Sequence, residues 1–261
     1  MSKLILTPLS GLPIIQPGDD LAELISQSLV ANHQSLESGD ILVLAQKIVS
    51  KAEGRKVNLA TVTPSPRAEA LAAQTEKDPR LVELILQESG GEVLRTRPGL
   101  IVVEHRLGFV CANAGIDHSN VEPTRSDDFN RSDEWVLLLP ENPDASANGL
   151  RIKLEGMTGA RIGVMIIDSH GRAWRQGTVG VAIGISGLPG VVDLRGQPDL
   201  NGRILQVTQV GAADELAAAA SLVMGQAAEG TPVVHVRGFP YPLREGGLKE
   251  LIRPREMDLF R

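Results

Sequence analysis

The sequence predicts a mixed α/β fold that is neither a P-loop nor a Rossmann arrangement, on three observations. Short apolar runs of β character alternate with segments of helical periodicity, the pattern of helices layered on a sheet. Hydrophobic residues make up 42% and charged residues 22% of the 261, enough to bury a core and too apolar for disorder. No Gly-x-x-x-x-Gly-Lys-Ser/Thr loop occurs, and Gly180, Gly184 and Gly187 have the wrong spacing for a dinucleotide fingerprint. With no repeat or linker, residues 1–261 are expected to form one unit or two intertwined subdomains.

In chain order, Lys3 to Thr7 reads as a strand followed by a turn at Gly11 to Ile15. Asp19 and Asp20 are N-cap candidates for a helix whose apolar positions are Leu21, Leu24, Ile25 and Leu29. A turn at Ser38-Gly39-Asp40 leads into a buried strand, Ile41 to Ala45. Thr63 to Leu86 is helical with a break at Pro79. Leu100 to His105 and Gly108 to Ala112 form a hairpin around Arg106-Leu107. Glu122 to Glu134 is a polar loop, Trp135 to Pro140 a strand and Asp144 to Gly156 a helix. Arg161 to Ile167 is a strand expected to end at Asp168, before a glycine-rich region from Gly177 to Gly202. Gly211 to Gln226, rich in Ala with periodic Leu, is the clearest helix, and Val233 to Val236 the last strand.

Composition excludes several functions. With 26 basic and 32 acidic side chains, the net charge of −6 opposes generic binding to nucleic acid or anionic membranes. Aromatic residues are 3%, too few for a base-stacking surface. The single Cys111 rules out an internal disulfide and a multi-thiolate zinc site. The apolar runs are far shorter than the roughly 20 residues that span a bilayer, and Leu4-Ile5-Leu6 before Pro8 is too short for a secretory signal. A cytoplasmic protein is expected.

Four stretches bring polar residues to the ends of apolar runs. Gln46-Lys47 with Lys51 and Arg55 is a cationic knot after a buried strand, where α/β folds place ligands; a solvated helix start accounts for it equally well. Asn113 to Asn120 presents Asp117, Ser119 and Asn120 from a small-residue turn. Hard cations take such oxygens, although an Asx-turn is the simpler account of that stretch alone. Asp168-Ser169 with Arg172 and Arg175 pairs a carboxylate and hydroxyl with two guanidinium groups, suited to magnesium and to phosphate or carboxylate. Leu205 to Gly211, with Gln206 and Gln209, alternates polar and apolar residues ahead of a helix, as any half-exposed strand does.

Together these stretches resemble the coenzyme F420-0:L-glutamate ligases, also called F420-0 γ-glutamyl ligases. The resemblance rests on Gly11-Leu12-Pro13-Ile14-Ile15, Lys47 to Arg55, Asn113 to Asp117 with Ser119 to Val121, Leu139-Pro140 with Pro143 to Ala147, Asp168-Ser169 with Gly171 to Arg175, and Ala213 to Ala217. It implies the mixed-sheet, non-P-loop fold of that family and a homodimer without the C-terminal flavin-binding domain of some relatives. It implies a ligase that joins L-glutamate to the deazaflavin precursor F420-0 and adds further γ-linked glutamates, GTP activating the acceptor as an acyl phosphate. A non-catalytic nucleotide- or coenzyme-binding homologue is the alternative. By resemblance, Leu12, Pro13, Ile14, Ile15, Gln46, Lys51 and Asn120 contact GTP, and Asp117, Asp168, Ser169 and Gln209 hold Mg2+ or Mn2+, with Gln206 the other register for the last. Asp117, Asp168 and Lys51 are the expected catalytic set, with a K+ ion left open. Arg172 and Arg175 are candidates for substrate carboxylates or the coenzyme's phosphodiester. The Glu122 to Glu134 loop, longer than the family pattern, is expected to modulate coenzyme access or the dimer contact.

Overall fold

The computed structural model describes residues 3–118, 121 and 135–258; Ser119, Asn120 and the polar 122–134 segment lie outside the described residues. The chain opens with β1 (Ile5–Leu9), α1 (Leu21–Ala31), β2 (Ile41–Ala45) and α2 (Gln46–Ala52). Asp20 caps α1, its carboxylate accepting from the Ala22 N–H at 3.0 Å. A middle section follows: β3 (Lys56–Asn58), α3 (Pro66–Thr75), α4 (Pro79–Glu88), β4 (Ser89–Arg97), β5 (Leu100–His105), β6 (Val110–Ala112) and β7 (Trp135–Leu137). The remainder is α5 (Pro143–Thr158), β8 (Gly163–Arg172), β9 (Arg175–Ser186), β10 (Val192–Asp193), β11 (Gln209–Val210), α6 (Ala212–Met224) and β12 (Val233–Arg237). The helical stretch expected to break at Pro79 does so: it forms two helices, each with proline in its first turn, where its missing N–H costs nothing.

A five-stranded sheet of order β1-β12-β2-β8-β9 forms the centre, with β2 and β8 parallel and the other neighbours antiparallel. Alternation divides its side chains between two cores. Leu42, Leu44, Val164 and Ile166 face α1, α2 and α5. Ile41, Val43, Met165 and Ile167 face α6. A third core joins α3 and α4 to Ile101, Val103 and Val136 of the smaller sheets.

Two expectations are corrected here. The strand read as ending at Asp168 continues to Arg172, and the first part of the glycine-rich stretch, from Gly177 to Ser186, lies within the twelve-residue partner β9. Gly180 and Gly184 are strand residues because helices lie on them. A Cβ at Gly180 would come within 2.5 Å of the Ala217 carbonyl oxygen of α6, and one at Gly184 within 2.5 Å of Pro143 of α5. β9 is an edge strand, and two of its backbone N–H groups are taken up by those helices. The Ile185 N–H donates to Asp144 at 2.7 Å and the Ala182 N–H to Asp214 at 3.0 Å, which covers that part of the edge. Among the described residues, no helix is long and apolar enough to cross a membrane.

Candidate active site

The parallel pair β2–β8 separates at its carboxyl end. Ala45 pairs with Ile167, after which β2 turns into α2 while β8 runs on beside β9. A cavity of about 630 Å³ opens in the gap, lined by Gln46, Lys47 and Lys51 of α2, Asp117, Asp168 and Ser169 of β8, and the 225–232 loop after α6. Open α/β sheets hold ligands at this kind of strand end.

Each side chain reaches the cavity for a local reason. Asp117 follows three successive residues in the left-handed region, Asn113, Ala114 and Gly115, at φ 50°, 53° and 66°. The turn is held by the Ile101 N–H donating to Asn113 Oδ1 at 3.1 Å. Such strain in Asn113 and Ala114 persists only where surrounding structure enforces it; Ala114 is fully buried, and Leu139 leaves no room for a side chain at Gly115. Asp117 is then locked by a two-bond bridge to Leu137. Asp168 and Ser169 are consecutive on β8, so they point to opposite faces of its free edge.

The basic side comes from α2 and β3. The Lys47 ammonium lies 2.7 Å from Asp117 Oδ2. Burial, then the positive charges of Lys47 and Lys56, push the Lys51 ammonium below its ordinary range, with Asp117 opposing them. Gln46 is buried; its Oε1 accepts from Ser50 Oγ at 2.8 Å, and its Nε2 has no partner among the described residues. Cys111 is nearby but inert, its thiol pushed up to about 12 by burial and by the charge of Asp168.

Of the residues selected from sequence, Gln46, Lys51, Asp117, Asp168 and Ser169 meet at this cavity. Leu12 to Ile15 do not line it; their segment packs beside the end of α2, where the Gly18 N–H donates to the Ala52 carbonyl at 2.8 Å. Arg172 and Arg175 face each other across the tip of the β8–β9 hairpin, beyond the cavity. Gln209 is exposed on β11, before the N-terminus of α6, whereas the cavity meets the C-terminus of that helix. The 13 residues of α6 set those ends about 20 Å apart. Gln206 is likewise outside the lining, and Asn120 is outside the described residues.

The glutamine on the cavity wall is Gln226, which sequence reading passed over. Its Oε1 accepts from Ser169 Oγ at 2.8 Å, and its Nε2 donates to Ser221 Oγ at 2.8 Å. The available signal was the pair Gly225 and Gly230, both at positive φ, framing a short loop directly after the clearest helix. Lys47, read from the sequence as part of the cationic knot but given no role of its own, lines the cavity as well.

No group of three His, Cys, Asp or Glu side chains converges among the described residues. The donors are two carboxylates, a hydroxyl and an amide oxygen, a hard-oxygen set that fits magnesium or manganese and not zinc. Lys47 and Lys51 beside it give one wall a charge suited to phosphate oxygens.

The family model described as F420-0:Gamma-glutamyl ligase matches residues 11–238. The chain is 50% identical over 253 residues to the coenzyme F420:L-glutamate ligase of Methanothermobacter thermautotrophicus, covering 96% of each chain. It is 48% identical to the protein of that name from Methanopyrus kandleri, covering 95% of this chain and 93% of the other. The Archaeoglobus fulgidus counterpart is 46% identical, with 97% and 95% covered.

Proposed function

The chain belongs to the F420-0:gamma-glutamyl ligase family, and from that premise we propose that it joins L-glutamate to the coenzyme precursor F420-0 at the expense of GTP. The observation that carries the reading is the meeting of Lys51, Asp117, Asp168, Ser169 and Gln226, from separate parts of the chain, around one cavity at the end of a parallel strand pair.

In this scheme the γ-phosphoryl group of GTP passes to the terminal carboxylate of F420-0. The glutamate amine then attacks the acyl carbon; a C–N bond forms, the C–O bond to phosphate breaks, and GDP and phosphate leave. Phosphoryl transfer needs positioning and charge neutralisation more than covalent help from the protein. Lys51 and Lys47 serve the triphosphate, and the Leu12 to Ile15 backbone beside α2 serves the nucleoside. Asp117, Asp168, Ser169 and Gln226 would hold a divalent ion, which when bound neutralises phosphate oxygens. Arg172 and Arg175, further along the same hairpin, serve the anionic arm of the coenzyme. We propose a homodimer as the working form.

The test incubates the protein with F420-0, L-glutamate, GTP and Mn2+ and weighs the products. A product heavier by one or more glutamate residues, with GDP release that requires glutamate, is expected. No mass gain sinks the ligase reading, and GDP release without glutamate identifies a carboxylate kinase instead.

A further inference from the structure

Asp168 is not free to turn within the cavity, because a side chain outside the donor set holds it. His170, two residues on and so on the same face of β8, places Nε2 3.1 Å from Asp168 Oδ2. An ionised carboxylate only accepts, so Nε2 carries the proton. The imidazole is fixed in turn: its ring packs on Phe109 with centroids 5.3 Å apart, and Phe109 stacks on His105 at 5.1 Å with planes 6° apart. His105 is pinned by the Leu107 N–H, which donates to its Nδ1 at 3.1 Å. The row His105–Phe109–His170 thus runs from the β5–β6 hairpin to the carboxylate on β8.

We infer that His170 is a positioning residue for the reaction. It ties down Oδ2 of Asp168 and so directs the remaining lone pairs of that carboxylate toward the cavity, acting through Asp168 and not on substrate. The inference deepens the proposed function and rests on its divalent-ion site. Residues that orient metal-binding groups change affinity by about 10–100-fold when removed.

The experiment titrates the full chain with Mn2+ alone, reading free Mn2+ by electron paramagnetic resonance, for wild type, His170→Phe and His170→Gln. The phenylalanine keeps a ring against Phe109 and loses the donor; the glutamine keeps an N–H donor and loses the ring. His170→Phe is expected to bind Mn2+ at least about 10-fold more weakly, and His170→Gln to recover to within about threefold of wild type. Melting temperatures confirm that the variants are folded, and His170→Leu, which also lacks a donor, replaces His170→Phe in the comparison should the larger ring not fold. Mn2+ affinity in His170→Phe within about twofold of wild type overturns the inference. Equal weakening of the two folded variants overturns it as well, because the donor would not then be the cause. A wild type that binds no Mn2+ defeats the metal site itself, a failure visible before any variant is measured.

Discussion

At the scale of single residues, two glutamines show why position within the fold decides chemistry. Gln209 and Gln226 offer the same amide, yet Gln209 is exposed on a two-residue strand and Gln226 is fixed at both ends. With Nε2 engaged by Ser221, the oxygen of Gln226 is the end presented to Ser169 and the cavity. Gln226→Ala is therefore expected to weaken Mn2+-dependent GTP binding about 10-fold, while Gln209→Ala leaves it within about twofold, as titration calorimetry would measure. The reverse ranking would return the role to Gln209. Lys47 makes a related point. Its 2.7 Å contact with Asp117 places an ammonium on one of the carboxylates of the donor set, so a divalent ion and Lys47 compete for Asp117. Lys47→Met should tighten Mn2+ binding measured alone and weaken GTP binding, and a variant that weakens both would show that Lys47 supports the ion instead.

At the scale of elements, the β8–β9 hairpin carries the site, and the glycines of β9 set how closely two helices flank it. Gly184→Ala drives a methyl into Pro143 of α5, and Gly180→Ala drives one into Ala217 and Ser221 of α6. Each is expected to cost about 1–3 kcal/mol, read as a lower melting temperature. Gly171→Ala, on the same hairpin with nothing within 4 Å of the added methyl, should melt close to wild type. Equal effects at all three positions would mean that loss of glycine flexibility, not helix packing, sets the cost. These glycines also explain what the sequence concealed. α1, α6, β2 and β12 were legible because burial on one or both sides wrote a period or an apolar run into each. β9 was not, since glycine is the usual mark of a turn and its use here comes from helices distant in sequence. Likewise β4, with Gly90 and Gly91 near its start and irregular register against β5, carries no clean alternation. The site divides in the same way. Asp168, Ser169 and Lys51 follow apolar runs and stood out; Gln226 lies in a loop of small residues that looks like any other until the fold sets it against Ser169.

At the scale of the whole molecule, one partly buried carboxylate ties the middle section to the central body. Glu88, at the end of α4, binds Arg55 at 3.0 Å, just beyond α2, and Arg106 at 3.1 Å, in the β5–β6 turn. Both arginines continue to the segment before α5, Arg55 donating to the Leu139 carbonyl and Arg106 to that of Glu141, each at 2.9 Å. His105 Nε2 stands 3.6 Å from Glu88, a longer and weaker contact than those of the two arginines. Burial alone would raise the Glu88 carboxyl, but His105 and the two guanidinium groups outweigh it and draw it from 4.5 down to about 2. A carboxyl whose folded value lies below its unfolded one stabilises the fold above the unfolded value, and that contribution fades as pH falls toward the folded one. With solvent screening allowed for, it is worth on the order of 2 kcal/mol at neutral pH. Glu88→Gln should accordingly melt below wild type at pH 6. The gap should close steadily between about pH 4.5 and pH 2 as the wild-type carboxyl gains its proton. Because β5 and β6 also support the Asn113 to Gly115 turn that delivers Asp117, the same substitution should weaken Mn2+ binding at pH 6 without touching the cavity. A melting gap that stays constant with pH would mean that Glu88 acts through packing alone, and the charge-based link between the two halves of the cavity would have to be abandoned.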